Sequence, residues 1–66
     1  MKKPSDRHRV IEVYRLAFSH RNPLEPAERQ WAIYVGERQI SEQKPTPGEA
    51  WASAWEKIEA AREYTR

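Results

Sequence analysis

The sequence predicts a small α+β domain in the order helix, β-hairpin, helix, with the C-terminal amphipathic helix packed on the hairpin. Three observations lead to this fold class. A capping pattern precedes apolar residues at helical spacing near the C-terminus, an alternating stretch precedes Gly36-Glu37, and an apolar arc occupies the first third. All 66 residues are expected to form one domain, residues 1–66, in which residues 1–4 are a frayed N-terminal arm.

The first element is predicted to be a helix that Ser5 or Asp6 caps and that runs to about His20. On a helical wheel its apolar residues fill a broad continuous arc, which is typical of a helix covered by two neighbours. The same stretch is rich in β-forming residues, so a strand remains the alternative. A strand would have apolar residues on both faces, and the pattern therefore favours a helix.

A β-hairpin is predicted in the middle of the chain, after Asn22-Pro23 ends the first element and Pro26 keeps the next stretch irregular. Gln30 to Val35 alternates as a strand, with Trp31, Ile33 and Val35 on one face and Gln30, Ala32 and Tyr34 on the other. Gly36-Glu37 suits a two-residue turn with glycine first. A second strand, from Arg38 to about Gln43, is mostly polar and is therefore expected at an edge of the sheet.

The C-terminal helix is predicted from Pro47 to Tyr64. Thr46 provides an N-cap hydroxyl, Pro47 suits the first helical position and Glu49 completes a capping box. Together the three elements predict a core of Val10, Ile11, Tyr14, Phe18, Trp31, Ile33, Val35, Ile40, Trp51, Ala54, Trp55 and Ile58.

Composition restricts the function classes. The chain has no cysteine, which excludes disulfides and thiolate metal sites, and it has no apolar run long enough to cross a bilayer and no signal-peptide core. A cytoplasmic protein that starts at its own initiator Met is expected. Residues 1–22 carry six basic and two acidic side chains, a balance of +4, whereas residues 23–66 carry six basic and eight acidic ones, a balance of −2.

No residue pattern indicates an enzyme, a cofactor, a bound metal or a small-molecule substrate. His8 and Glu12 are four residues apart on the predicted first helix, but two ligands do not close a metal site, so a surface pair is expected. The two glycines, Gly36 and Gly48, are explained by a turn and a helix start rather than by a phosphate loop. The tryptophans are expected to be core residues rather than a stacking platform.

The first functional hypothesis is a small regulatory or interaction module that binds a protein partner or a second copy of itself. A thin core and an unprotected polar edge strand favour it, because an exposed edge can pair with another strand. Regulatory or inhibitory proteins of phages and mobile elements are often of this size, and a protein of that type is one expectation. The predicted interface is the second strand of the hairpin, namely Arg38, Gln39, Ile40, Ser41, Glu42 and Gln43.

The alternative hypothesis is a small DNA-binding accessory protein that uses the basic N-terminal helix and the outward face of the hairpin, where Gln30, Ala32 and Tyr34 would lie beside Gln39, Ser41 and Gln43. The predicted contacts are Arg7, Arg9, Arg15, Arg21, Gln30, Tyr34, Arg38 and Gln39. The stretch from Trp31 to Ile58 resembles the arm-binding modules of phage integrases, which read DNA with a sheet backed by a helix. It lacks their third strand and their basic sheet face, and the competing expectation is that Ala32 and Tyr34 pack under the N-terminal helix.

Overall fold

The computed structural model describes residues 5–64, which form two helices and a three-stranded antiparallel sheet. The elements are α1 (Asp6–Val13), β1 (Phe18–Arg21), β2 (Trp31–Val35), β3 (Arg38–Gln39) and α2 (Pro47–Tyr64). The strands lie in the order β1-β2-β3. The α+β class and the helix, hairpin, helix order are therefore confirmed, with one strand added before the hairpin. The predicted arm, residues 1–4, lies outside the described residues.

The first helix ends at Val13, so the prediction that it continues to about His20 is wrong. Its start agrees with the sequence, because the Ser5 hydroxyl accepts a hydrogen bond from the His8 N–H at 3.2 Å. Tyr14 ends the helix in an extended conformation, with φ −122° and ψ 94°. The alternative prediction of a strand is correct for Phe18–Arg21. There, pairing with β2 outweighs the helical pattern of the isolated segment.

An irregular loop joins β1 to β2. The Asn22 N–H donates to the Gln30 carbonyl at 2.7 Å, which closes the loop where the two strands meet. Inside the loop the Asn22 side-chain oxygen accepts from the Leu24 N–H, and the Gln30 amide donates to the Glu25 carbonyl, both at 3.1 Å. Ala27–Arg29 forms a short 3-10 turn. The stretch after Asn22-Pro23 is thus irregular, as predicted.

The hairpin turn is confirmed at Gly36-Glu37, but its second strand is much shorter than the predicted Arg38 to Gln43. Gly36 has a φ of 62°, which only glycine adopts at little cost. After β3 the Ile33 N–H donates to the Ser41 side-chain oxygen at 2.8 Å instead of to a backbone carbonyl. Backbone pairing resumes between Trp31 and Lys44. The hydroxyl of Ser41 therefore interrupts the strand while keeping the central strand hydrogen-bonded.

The core lies between one face of the sheet and the two helices. The N-cap of α2 is as predicted, since the Thr46 hydroxyl accepts from the Glu49 N–H at 3.2 Å. The reciprocal bond of the capping box, from the Thr46 N–H to the Glu49 side chain, does not form among the described residues. The buried cluster consists of Val10, Ile33, Ala50, Trp51, Ala54 and Ile58, and the partly buried residues against it are Ile11, Ala17, Trp31, Ile40 and Trp55. Tyr14 and Phe18 were predicted in the core but are exposed. They lie beyond the end of α1, so the helical arc that would have turned them inward does not exist there.

Candidate interaction site

The two faces of the sheet have different surroundings. Helix α2 packs against the face that carries Ile33, and α1 packs against α2. Strand alternation and the pairing register place Phe18, His20, Tyr34 and Gln39 on the opposite face, which we call the open face. The expectation that Ala32 and Tyr34 pack under the N-terminal helix is therefore wrong, because that helix lies on the other side of the sheet. Ala32, which pairs with His20, is nevertheless only 2% exposed.

Three rings cluster on the open face. The Phe18 and Tyr34 rings stack with centroids 6.0 Å apart at 25°, and the His20 ring meets Tyr34 edge-on at 5.8 Å and 84°. Phe18 is 44% exposed, a large fraction for an aromatic side chain in a strand. The rings form the wall of a shallow concavity of about 360 Å³, which Gly36 and Glu37 complete at the hairpin turn.

Strand β1 presents unpaired backbone groups at the edge of the sheet. Trp31 and Ile33 direct their backbone hydrogen bonds towards Lys44, Ile40 and Ser41, on the β3 side. Because antiparallel pairs alternate, their partners in β1 point their own N–H and C=O groups away from β2. These partners are Ser19 and Arg21. Within residues 5–64 nothing donates to or accepts from their backbone groups.

The predicted interface at the other edge is largely closed by the protein itself. Ser41 is only 4% exposed, and its carbonyl accepts from the Gln39 side-chain amide at 2.7 Å. The Glu42 N–H donates to the Ser53 hydroxyl of α2 at 2.9 Å. Ile40 packs against the core. Of the predicted interface residues, Arg38, Gln39 and Glu42 are exposed, while Ile40 and Gln43 are half-buried. Strand β1 therefore offers more free backbone groups than the Arg38 to Gln43 segment, whose role as an interface stays a prediction.

The residues predicted to contact nucleic acid do not form one surface. Arg7 is exposed on α1, Arg15 is exposed between α1 and β1, and the Arg9 guanidinium lies 5.6 Å from the centroid of the Trp55 ring on the helical side. Register places Arg21 opposite Trp31 and Arg38 opposite Val35, so both belong to the face that α2 covers.

The polar groups of Gln30 are engaged locally, since its side-chain oxygen accepts from the Arg21 Nε at 3.1 Å and its amide donates to the Glu25 carbonyl. Of the predicted nucleic-acid contacts, Tyr34 and Gln39 are the two that register places on the open face. Their side chains approach each other, with 3.5 Å between the Tyr34 hydroxyl and the Gln39 Oε1.

The expected surface pair of His8 and Glu12 forms on α1. The His8 Nε2 lies 2.9 Å from the Glu12 carboxylate, and both side chains are exposed. No group of three or more potential metal ligands occurs in the part of the chain that the structure describes. Neither helix there has the length and apolarity that a bilayer crossing requires.

Phe18 and His20 are the residues of the open face that the sequence did not reveal. Their alternation with Ser19 and Arg21, just before the turn-forming Asn22-Pro23, is the signal that could have identified a strand. The broad apolar arc of residues 10–18 concealed it. No protein-family model, curated protein or solved structure matches the chain.

Proposed function

We propose that this protein is a small interaction module that binds an extended segment of another protein chain, its own second copy included. The segment adds to the β1 edge, and its side chains on one side rest on the open face. The observation that carries this proposal is the free edge at Ser19 and Arg21 beside the uncovered Phe18, His20 and Tyr34 rings. Strand addition of this kind obtains affinity from main-chain hydrogen bonds and specificity from alternate side chains.

The chemistry of the open face favours a protein over a nucleic acid. A nucleic-acid surface needs cations that neutralise phosphates. Register instead places Arg21 and Arg38 on the helix-covered face, and the charged residue that lines the concavity is an acid, Glu37. Aromatic rings with few charges are typical of the centre of a protein interface.

Comparative affinity capture from the native host tests the proposal. Ser19→Pro removes one outward-facing N–H from β1 without removing a hydrogen bond to β2, because the Ser19 N–H has no partner in the described structure. Ser19→Ala is the matched control, and Tyr34→Leu tests the face. Proteins captured by the wild type and Ser19→Ala should be lost with Ser19→Pro and Tyr34→Leu.

Sedimentation of the same variants covers the case of self-association, in which a concentration-dependent dimer of the wild type should dissociate in Ser19→Pro. Circular dichroism establishes that each variant is folded. Equal capture by all variants contradicts the proposal, as does a wild type that captures nothing specific and sediments as a monomer.

A duplex DNA-binding function is the second candidate, and one observation favours it. The resemblance to the arm-binding modules of phage integrases lacked a third strand, and β1 adds a third strand to a sheet that α2 backs. A sheet with an open face has the width to enter a major groove. The second candidate still requires cations that reach phosphates from the rim of the sheet.

An electrophoretic titration of a duplex at low and moderate salt tests this second candidate. Each phosphate contact steepens the loss of affinity with salt, so Arg38→Ala should weaken binding and lower the salt slope by about one unit. Arg7→Ala tests α1 in the same way, and both side chains are exposed. Absence of binding at micromolar protein and low salt excludes the function.

A further inference from the structure

The concavity on the open face combines two features that recognise organic cations. Its wall is made of the Phe18, His20 and Tyr34 rings, and Glu37 stands at its rim in the hairpin turn. The face of an aromatic ring attracts a cation that comes within about 6 Å of its centroid, and clusters of rings are used to hold ammonium groups. A carboxylate beside the rings adds a direct partner for the charge.

The carboxylate of Glu37 is available for a ligand. Among the described residues it takes part in no ion pair, and its residue is exposed. The next residue, Arg38, is directed to the other face of the sheet by strand alternation. Gly36, with its φ of 62°, makes the turn that places Glu37 at the concavity that Tyr34 also lines. Glu37 therefore lines the concavity next to the rings with no ion-pair partner among the described residues, and the imidazole of His20 lines the same concavity.

We infer that this concavity binds a cationic side chain, arginine or lysine, of the partner segment. The shape of the site suits this ligand, because a shallow, open surface lets a guanidinium stack flat on a ring while its edge faces a carboxylate. Negative charge at Glu37 complements the ligand, and the rings supply the attraction that a lone surface carboxylate lacks. The inference rests on the proposed function, since it names the chemistry that the partner presents to the open face.

The site can be tested without knowing the partner, by nuclear magnetic resonance titration of the whole protein with small probes. Nα-acetyl-arginine amide and Nα-acetyl-lysine amide carry the cation, and Nα-acetyl-citrulline amide is a neutral analogue of the arginine probe. One of the cationic probes should produce saturable shifts of the Phe18 and Tyr34 ring signals and of the Gly36 amide. The citrulline probe should bind about fivefold more weakly or not at all, given the size of an exposed cation–π contact.

Variants distinguish the contribution of the rings to probe binding from that of the carboxylate. Tyr34→Phe keeps the ring and should keep the shifts, whereas Tyr34→Leu keeps apolar volume and should abolish them. Glu37→Gln should weaken binding about two- to fivefold, as the loss of one exposed ion pair implies. Glu28→Gln is its control, because Glu28 is an exposed acid in the 3-10 turn and does not line the concavity.

Equal binding of the citrulline and arginine probes, absence of shifts with both cationic probes, or unchanged binding in Glu37→Gln would each overturn the inference. If Tyr34→Leu does not fold, the Glu37→Gln comparison and the neutral probe still decide it, since Glu37 is an exposed turn residue. These outcomes leave the proposed function separately testable. Loss of captured proteins in Ser19→Pro would support strand addition even where the cation site fails.

Discussion

Trp51 and Trp55 lie four residues apart on α2 in different surroundings, so alanine at each position measures how much of the stability comes from the core. Trp51 is 6% exposed and belongs to the buried cluster, whereas Trp55 is half-buried at its margin. Truncating a buried tryptophan costs about 3–5 kcal/mol, which is the expected loss for Trp51→Ala. For Trp55→Ala about half that loss is expected, because part of the ring is already in water.

The contacts of Trp55 enter this estimate. The guanidinium groups of Arg9 and Arg62 each lie 5.6 Å from the centroid of its ring. Such exposed cation–π contacts contribute about 0.5–1 kcal/mol each, so they make up a large share of what Trp55→Ala removes.

These losses are large for a chain of 66 residues. At about 0.05–0.15 kcal/mol per residue, the whole domain is stable by roughly 3–10 kcal/mol. Trp51→Ala should therefore remove about 30% of the stability or more and, at about 4–8 °C per kcal/mol, lower the Tm by at least roughly 12 °C. Trp55→Ala should leave a folded baseline and a cooperative transition.

Urea unfolding followed by far-UV circular dichroism measures both variants without relying on the indole that is removed. Leu24→Ala is the control, since Leu24 is 94% exposed and its loss should change the free energy of unfolding by less than about 0.5 kcal/mol. If Trp55→Ala costs as much as Trp51→Ala or more, the assignment of Trp51 to the core is refuted.

Three further predictions concern a hydroxyl acceptor, the two glycines and a helix cap, and each is measured as a change in the free energy of unfolding in urea. Ser41→Ala leaves the buried Ile33 N–H without an acceptor and should cost about 1–3 kcal/mol; a neutral result would show that water replaces the hydroxyl. Added Cβ atoms at Gly36 and Gly48 meet nothing within 4 Å, so only backbone conformation distinguishes them. Gly36→Ala should destabilise by about 1 kcal/mol because of its positive φ, and Gly48→Ala should stabilise by about 0.5–1 kcal/mol within the helix; equal effects would contradict this reasoning. Thr46→Ala should cost about 1 kcal/mol through loss of the N-cap. If the folded variant keeps most of its helical circular dichroism signal, the effect is confined to the N-terminal end of α2.

The elements that the sequence predicted well are those with local signals. The Thr46 cap, the spacing of Trp51 and Ala54, and the glycine-first turn at Gly36 each involve residues a few positions apart. Their geometry depends little on the rest of the chain, so α2 and the hairpin turn could be placed from sequence alone.

Strand β1 was missed because its stability comes from distant residues. Phe18 meets Tyr34 sixteen positions along the chain, and nothing within the first segment reveals that partner. Within the first segment the apolar arc favours a helix and the β-forming residues favour a strand. The helix ends before Tyr14, and the residues from Phe18 onwards pair with β2 as a strand.

The candidate site was predicted only in part, because strand β1 was not predicted. The alternative hypothesis placed Tyr34 and Gln39 together on an outward face of the hairpin, whereas the two other rings of the open face come from β1. The burial of Ser41 could not be predicted from the sequence pattern either. Its hydroxyl replaces a backbone acceptor, which disturbs the alternation that places polar side chains on the solvent face of a strand.

All three indoles lie on the helical side of the sheet, with Trp51 in the buried cluster and Trp31 and Trp55 packed against it. A small cationic probe bound on the open face would therefore leave tryptophan emission almost unchanged, so its binding has to be followed by another signal. The same arrangement makes that emission a report on the integrity of the fold alone, so unfolding and occupancy can be followed independently in one sample.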